Sequence, residues 1–348
     1  MDAHDWHLQA TTPTPQWPEV ASLVEYQRLP AAEQARYSAT LAAAMNAAVV
    51  VSQPMAAACR VLDDIVTTNL QRPPGAMQMI AVIAPFSSGK STLIKEWGHP
   101  LYRAAIGEQV RSGRPTWSPE PGVTADWCPV VYVTLMSSSS IKEVNAQILS
   151  FLGYPPEGLA RTTTTRVLLA FRMHGVRVVI LDDANMLRLN SAQGRAVLDY
   201  IKFLNTELGE RSNGTVILVG ALPEVSAILE DPQIRARLTT LRLGPLNIAT
   251  LEERAAWQEL LRSAEERPLA YLPGAAPGMF VNRLAQHVWR RTQGYVGEVA
   301  KLVAGSVMDA FRTGRNVITS DDLDAVVLSE RSIDGQLHAS AAVKKARK

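Results

Sequence analysis

The sequence predicts an α/β fold: a parallel sheet covered by helices on both faces, preceded by a helical amino-terminal extension and followed by a small all-helical unit. Three observations predict it. Residues 77–83 (MQMIAVI) read as a buried strand, the loop Ala84-Pro85-Phe86-Ser87-Ser88-Gly89-Lys90-Ser91-Thr92 follows at once, and Leu93 onward reads as a helix. Residues 176–183 (VRVVILDD) form a near-continuous β-branched run, as expected of a strand buried on both faces of a parallel sheet, and end in two carboxylates. Beyond Pro245 the strand patterns stop and only helical periodicity remains.

The loop follows the phosphate-binding pattern G-x-x-x-x-G-K-[ST] at every fixed position except the first, where Ala84 stands for Gly. In such a loop the backbone N–H groups and the helix N-terminus point inward as an anion cradle. Gly89 lets the backbone approach a phosphate without a Cβ in the way. Lys90 would place a point charge at the β- and γ-phosphates, and Ser91 a hydroxyl on Mg²⁺. At the carboxyl end of the second strand, where ligands of such sheets bind, Asp182 fits a carboxylate that holds Mg²⁺ through water. Asp183 stands where many ATPases carry a glutamate that activates the attacking water. ATP and Mg²⁺ are therefore the expected cofactors.

The elements follow in order. Residues 1–18 are rich in Pro, Thr and Trp and are expected to be poorly ordered. Residues 19–70 read as helices with breaks near Pro30 and Pro54. The punctuation Gln71-Arg72-Pro73-Pro74-Gly75 closes an extension over residues 1–72 and opens an α/β core over 73–245. The helix after the loop is expected to end near Gly98. Residues 99–128 then form a Pro/Gly-interrupted segment bearing Arg103, Arg111 and Arg114. A strand is expected over 130–135, a helix over 141–152 and, after the threonine run 162–165, a helix over 166–174. A helix over 191–208 and a buried strand over 215–219 complete the core. Helices at about 250–263, 278–292, 296–313 and 320–329 make a unit over 246–330, the last opened by the capping sequence Thr319-Ser320-Asp321-Asp322. Residues 331–348 are a basic tail ending Lys344-Lys345-Ala346-Arg347-Lys348.

Composition narrows the function. Among 348 residues, 35 basic and 33 acidic side chains leave a net charge of +2, so any nucleic-acid contact must come from local patches. Two cysteines make neither a disulfide framework nor a zinc site, and suit a reducing cytoplasm. The amino terminus lacks the order of a signal peptide, and no run of 18 apolar residues argues for a membrane span, so no membrane partner is expected. The six histidines form no metal pattern, and no nucleophile–base pair stands outside the nucleotide site.

An α/β nucleotide core followed by a helical lid is the AAA+ arrangement, and within it the chain resembles the TniB/TnsC family of ATP-dependent regulators of DNA transposition. The resemblance covers about residues 75–330. His99-Pro100, Leu152-Gly153-Tyr154-Pro155, LDDAN and YIKFLNTEL carry part of it. VILVGALPEVSAILEDPQIRARL over 216–238 is its most specific block, and ERPLAYLPG, TQGYVGEVAKLVAGSVMDAF and NVITSDDL follow. The resemblance implies an ATPase that assembles as a homo-oligomer or filament on double-stranded target DNA and recruits or activates a transposase, with a TniQ-like target-selection adaptor as a further partner. It also implies that one arginine, Arg235 or Arg237, with Arg237 slightly favoured, reaches the nucleotide of a neighbouring subunit, where a planar cation meets developing phosphate charge. Candidates for the DNA contact are Arg103, Arg111, Arg114 and Lys142.

Four departures from the family pattern fall around one site. Ala84 replaces the first loop glycine, Asp183 the expected glutamate, and Ala221 a polar sensor after Gly220. The lid stretch Gly297-Glu298-Val299 lacks an arginine that many AAA+ proteins carry, though Lys301 is near. The expectation is tight nucleotide binding with slow hydrolysis, ATP serving as an assembly switch. Two other readings stay open: a helicase-loader or origin-binding ATPase, for which too few residues follow position 329 to make a winged-helix domain, and a nucleotide-locked scaffold with little hydrolysis.

Overall fold

The computed structural model describes residues 1–85, 88–136, 140–187, 191–221, 232–272, 274–315 and 317–334. Phe86 and Ser87 of the loop, residues 222–231 of the family-specific block and the basic tail from 335 lie outside them. The chain divides into two compact units, Met1–Thr12 with Ala57–Leu243, and Pro13–Ala56 with Gly244 onward.

Four helices open the chain: α1 (Ala3–Thr11), α2 (Leu23–Arg28), α3 (Ala31–Ala47) and α4 (Gln53–Gln71). The first corrects the expectation of disorder over residues 1–18. A nine-residue helix is marginal alone, but Asp2 and Asp5 form a reciprocal capping box (Asp5 N–H to Asp2 Oδ1, 2.8 Å) and Trp6 is wholly buried. The prolines act where expected: Pro30 precedes α3, and Pro54 sits in the first turn of α4, where its missing N–H costs nothing.

The first unit is built on a five-stranded parallel sheet in the order β4-β5-β6-β1-β7. Its strands are β1 (Met79–Ile83), β4 (Val130–Thr134), β5 (Val178–Asp182), β6 (Thr215–Gly220) and β7 (Leu238–Arg242). β1, β5 and β6 are buried along their whole length. Among the described residues β7 pairs only with β1; it is half-buried, and its mixed sequence LTTLR gives no apolar run, which is why the sequence does not announce it. The parallel register sets Thr134 beside Asp182, Leu181 beside Leu218 and Ile83 beside Gly220, so the carboxyl ends of β1, β4, β5 and β6 share one edge.

The helix α5 (Lys90–Ile106) does not stop at Gly98 but runs through Pro100. Proline removes one backbone donor, but the helix continues because Trp97, Tyr102 and Ile106 are buried and the Trp97 indole donates to Asp63 Oδ1 at 2.7 Å. The segment expected to be irregular holds a hairpin, β2 (Thr116–Glu120) with β3 (Val123–Asp126), turning at Gly122 (φ 77°). Pro119 is accommodated where the register shifts, and the Trp117 indole ties the hairpin to Met173 O at 2.8 Å. α6 (Ile141–Phe151) starts at a Ser140–Glu143 capping box. α7 (Ala160–His174) includes the threonine run expected to precede it, because Thr163 turns its hydroxyl back to Leu159 O (3.1 Å) and accepts from Asn145 Nδ2 (3.1 Å). α8 (Ala192–Ser212) and the short α9 (Pro232–Arg235) complete the unit.

The second unit is helical among its described residues: α2 and α3, then α10 (Leu251–Glu265), a π-helical turn (Met279–Leu284), α11 (Ala285–Thr292), α12 (Val296–Arg312) and α13 (Ser320–Ala325). Its core joins Leu41 and Met45 of α3 to Trp257, Phe280, Leu302 and Phe311. Residues 13–56 thus pack with the carboxy-terminal helices, whereas the sequence groups them with a separate extension. The signal is weak because α3 is alanine-rich and its apolar stripe is narrow.

Candidate functional site

The site is built at the carboxyl edge of the sheet. The chain leaves β1 at Ile83, and Ala84 N donates to Gly220 O (3.1 Å), pinning the loop entry to β6. Ala84 is fully buried and does not take a positive φ, so no glycine is required there and its substitution leaves the backbone path intact. Gly89 does require glycine. Its φ is 80°, a left-handed turn that launches α5, and among the described residues nothing lies within 4 Å of a Cβ built there. Lys90 is buried and its Nζ donates to Pro85 O at 3.1 Å, folding the side chain back over the loop. Ser91 and Thr92 follow in the first turn of α5.

Across the edge, Asp182 ends β5 with 2% exposure. Among the described residues its carboxylate accepts three hydrogen bonds. Ser91 Oγ donates to Oδ2 at 2.7 Å, Tyr132 Oη donates to the same oxygen, and Asp183 N–H donates to Oδ1 at 2.8 Å. Asp183 has φ 56°, a left-handed conformation that aspartate tolerates better than most residues. Burial, then the Asp182 charge, pushes its pKa up, with Lys90 opposing. The Ala221 side chain offers no polar atom, but its N–H donates to Asn185 Oδ1 (3.2 Å), so a buried amide stands beside it.

These residues fit a nucleotide phosphate with Mg²⁺. Ser88 Oγ is buried within the loop with no partner among the described residues, a polar atom that an anion in the cradle would satisfy. Ser91 and Asp182 supply hard oxygens at hydrogen-bond distance from each other. Mg²⁺ is commonly held this way, by one or two protein groups completed by phosphates and water. Among the described residues no group of three or more His, Cys, Asp or Glu could hold a metal by itself.

The structure thus brings together Gly89, Lys90, Ser91, Asp182 and Asp183. It does not bring Arg235 and Arg237 to them. Both arginines are exposed and sit just before β7, whose first residue pairs with Met79 at the amino end of β1. The four DNA candidates do not form one patch. Arg103 donates to Ala10 O (2.6 Å), and Arg114 makes a bidentate pair with Asp126 (2.6 Å each) before the amino end of β4. Lys142 follows the carboxyl end of that strand, and Arg111 ends a short 3₁₀ turn after α5; both are exposed. Sequence reading missed Tyr132 and Asn185. The one hydroxyl in the aliphatic part of VVYVT and the amide of LDDAN were the available signals, but only the register shows what they touch.

Comparison with solved structures agrees with this architecture. An ORC2 protein of Aeropyrum pernix, solved as ADPNP–ADP complexes, matches 78% of the chain at 15% identity with a TM-score of 0.53. The chain spans 66% of the length of that protein. Drosophila ORC bound to DNA matches 92% of the chain and 71% of its own at 13% identity, with a TM-score of 0.51. At such identities the likeness is one of fold, a P-loop AAA+ core with a helical carboxy-terminal region. No curated protein matches the sequence. The family described as bacterial TniB protein matches residues 50–247, the stretch that carries the loop, the paired aspartates and both arginines. That match covers more than half of the chain, and the chain belongs to the TniB family.

Proposed function

We propose that this protein is an ATP-dependent switch that assembles on target duplex DNA and regulates transposition, engaging a transposase and a TniQ-like adaptor. The observation that carries the nucleotide part is the 2.7 Å bond from Ser91 Oγ to Asp182 Oδ2, at the foot of the helix that Gly89 launches. In this reading the loop N–H groups and Lys90 hold the phosphates, while Ser91 and Asp182 hold Mg²⁺. The ion, when bound, neutralises phosphate charge. Asp183 accepts a proton from the attacking water, and its raised pKa suits a general base. Its short side chain, and the missing polar group at Ala221, leave that water poorly held, so hydrolysis is slow.

Arg235 and Arg237 support an assembled form. A five-residue strand rises about 16 Å, so arginines at the amino end of β7 are remote from their own loop and available to a neighbour's. Family membership supports the link to transposition. For the DNA contact, Arg111 and Lys142 are the stronger candidates, since Arg103 and Arg114 already hold α1 and β3.

Electron microscopy of the protein with duplex DNA, with and without a non-hydrolysable ATP analogue, tests the proposal. Rings or filaments only with nucleotide, and none with Lys90→Ala, are expected. Absence of any DNA assembly would refute it. Turnover should lie below about 1 s⁻¹, under the usual enzyme range, and a motor-like rate would contradict the switch. Neutralising Arg111 and Lys142 together should lower the salt slope of DNA binding by about 2.

A further inference from the structure

We propose that Tyr132 is a positioning residue for Asp182, and that Trp6 of the amino-terminal helix sets Tyr132, so that docking of α1 tunes the affinity of the nucleotide site for Mg²⁺. The inference rests on the ATP reading above and adds to it a control element outside the loop and the paired aspartates.

Among the described residues Asp182 is held by three donors, and two are accounted for by its own strand end and the phosphate loop. The third is Tyr132, in the middle of β4. The register pairs Tyr132 with Ile180, so Tyr132 and Asp182 project from the same face of the sheet, two residues apart along adjacent strands. The phenol reaches the Asp182 oxygen that Ser91 also reaches, Oδ2. Packing alone would be served by phenylalanine at this buried position between Val131 and Val133. The hydroxyl adds an oriented donor at a buried carboxylate, which fixes the rotamer that presents Asp182 to Ser91.

The Tyr132 ring is itself held from outside the sheet. Trp6 stacks on it with centroids 5.3 Å apart and planes 18° apart, and Trp6 meets His99 edge-on at 4.6 Å. The floor of this slot is Gly98, where a Cβ would come within 3.2 Å of the Trp6 ring. α5, the helix that begins with Lys90 and Ser91, therefore also carries the seat for Trp6. Lys95 of the same helix lies 5.6 Å from the Tyr132 centroid. A continuous line of contacts runs from Trp6 through Tyr132 to Asp182 and Ser91.

The docking has a weak point. Trp6 Nε1 and His99 Nε2 are buried without a hydrogen-bond partner among the described residues. An interface that leaves two polar atoms unmet is less stable than its apolar area implies. The chain passes from the first unit to the second at Thr12–Pro13, so a partner or assembly step that displaces α1 would reach Tyr132 through Trp6.

The test is a titration of Mg²⁺ into the full-length protein with a fluorescent ATP analogue, beside a Mg²⁺-free baseline in EDTA. Tyr132→Phe should weaken the Mg²⁺ dependence about tenfold, the low end for partners of metal-holding groups, with little change in the baseline. Trp6→Leu, which leaves the strand core intact and stands in should Tyr132→Phe fold poorly, should reproduce most of that loss, and Trp6→Phe should recover it. In protein labelled with 5-fluorotryptophan, the ¹⁹F resonance absent from Trp6→Phe should shift on adding Mg²⁺ with the analogue, and should not shift in Tyr132→Phe. An unchanged Mg²⁺ dependence in Tyr132→Phe overturns the proposal, and an effect of Tyr132→Phe without one of Trp6→Leu overturns the role of α1. If the unmodified protein binds no analogue at all, it is the ATP reading that fails.

Discussion

Asp183 combines three properties: a left-handed backbone, a raised pKa, and a place beside the buried, hydrogen-bonded carboxylate of Asp182. As the base of the proposed hydrolysis it is removable without disturbing the phosphate grip. Asp183→Asn should lower ATP turnover by roughly 100-fold, the usual contribution of general-base catalysis, while nucleotide affinity in equilibrium binding stays within error. An equal fall in affinity would place Asp183 in the binding machinery instead. Ala84 makes the converse case. The sequence marks it as a departure in a glycine-defined loop, but its φ is not positive and its Cβ is buried. Ala84→Gly should therefore bring no gain in nucleotide binding and cost about 0.5–1 kcal/mol of stability through chain entropy. Lys90, Ser91, Asp182 and Asp183 were legible because their spacing along the chain is the signal. Tyr132 and Asn185 were not, because what each touches depends on strand register and on a loop 36 residues away from Asn185.

Elements were legible where burial is uniform and illegible where it is borrowed from a neighbour. β1, β5 and β6 announce themselves as apolar runs, whereas β7, the β2–β3 hairpin and α1 hold their shape through partners distant in sequence. α8 shows the same dependence at one residue. Gly209 lies so close to the backbone before β1 that an added Cβ would sit 2.0 Å from Gly75 O. Gly209→Ala should destabilise the α/β unit by about 3 kcal/mol, since backbone cannot yield as a side chain can, and urea unfolding will measure it. The histidines packed among these elements give a pH dependence of known sign. Burial lowers the pKa of His7, His99 and His174, that of His99 to about 4, helped there by Lys95 and Arg103. The unfolded chain, with an ordinary pKa near 6.5, then binds more protons than the folded one below that pH. Stability should fall as pH drops from about 6.5 towards 4, with His99 contributing across that whole window. Chemical denaturation at steps of pH will show the slope, and His99→Gln should flatten it.

At the scale of the whole molecule, the near balance of 35 basic and 33 acidic residues means that a single copy has little long-range attraction for DNA. If binding is to be firm, it must come from many copies whose local patches add, which makes assembly the step that nucleotide has to control. The two ends of the sheet give the geometry for that control: the phosphate loop at the carboxyl edge, Arg235 and Arg237 at the amino edge. A subunit that supplies its loop to one neighbour and its arginine to another completes each site only in a row. Mixing variants separates this from a site complete in one chain. Asp183→Asn lacks the base but keeps its nucleotide grip and its arginines, and Arg237→Ala lacks the favoured arginine but keeps its base, so each alone should be nearly inactive in DNA-stimulated ATP hydrolysis. Mixed in equal amounts, about a quarter of the interfaces would pair an intact base with an intact arginine, and activity should return to that order. Activity that never returns on mixing, with each variant still forming mixed assemblies, would mean that Arg237 acts within its own chain or not at all. The same mixture made with Arg235→Ala then decides which of the two arginines crosses the interface.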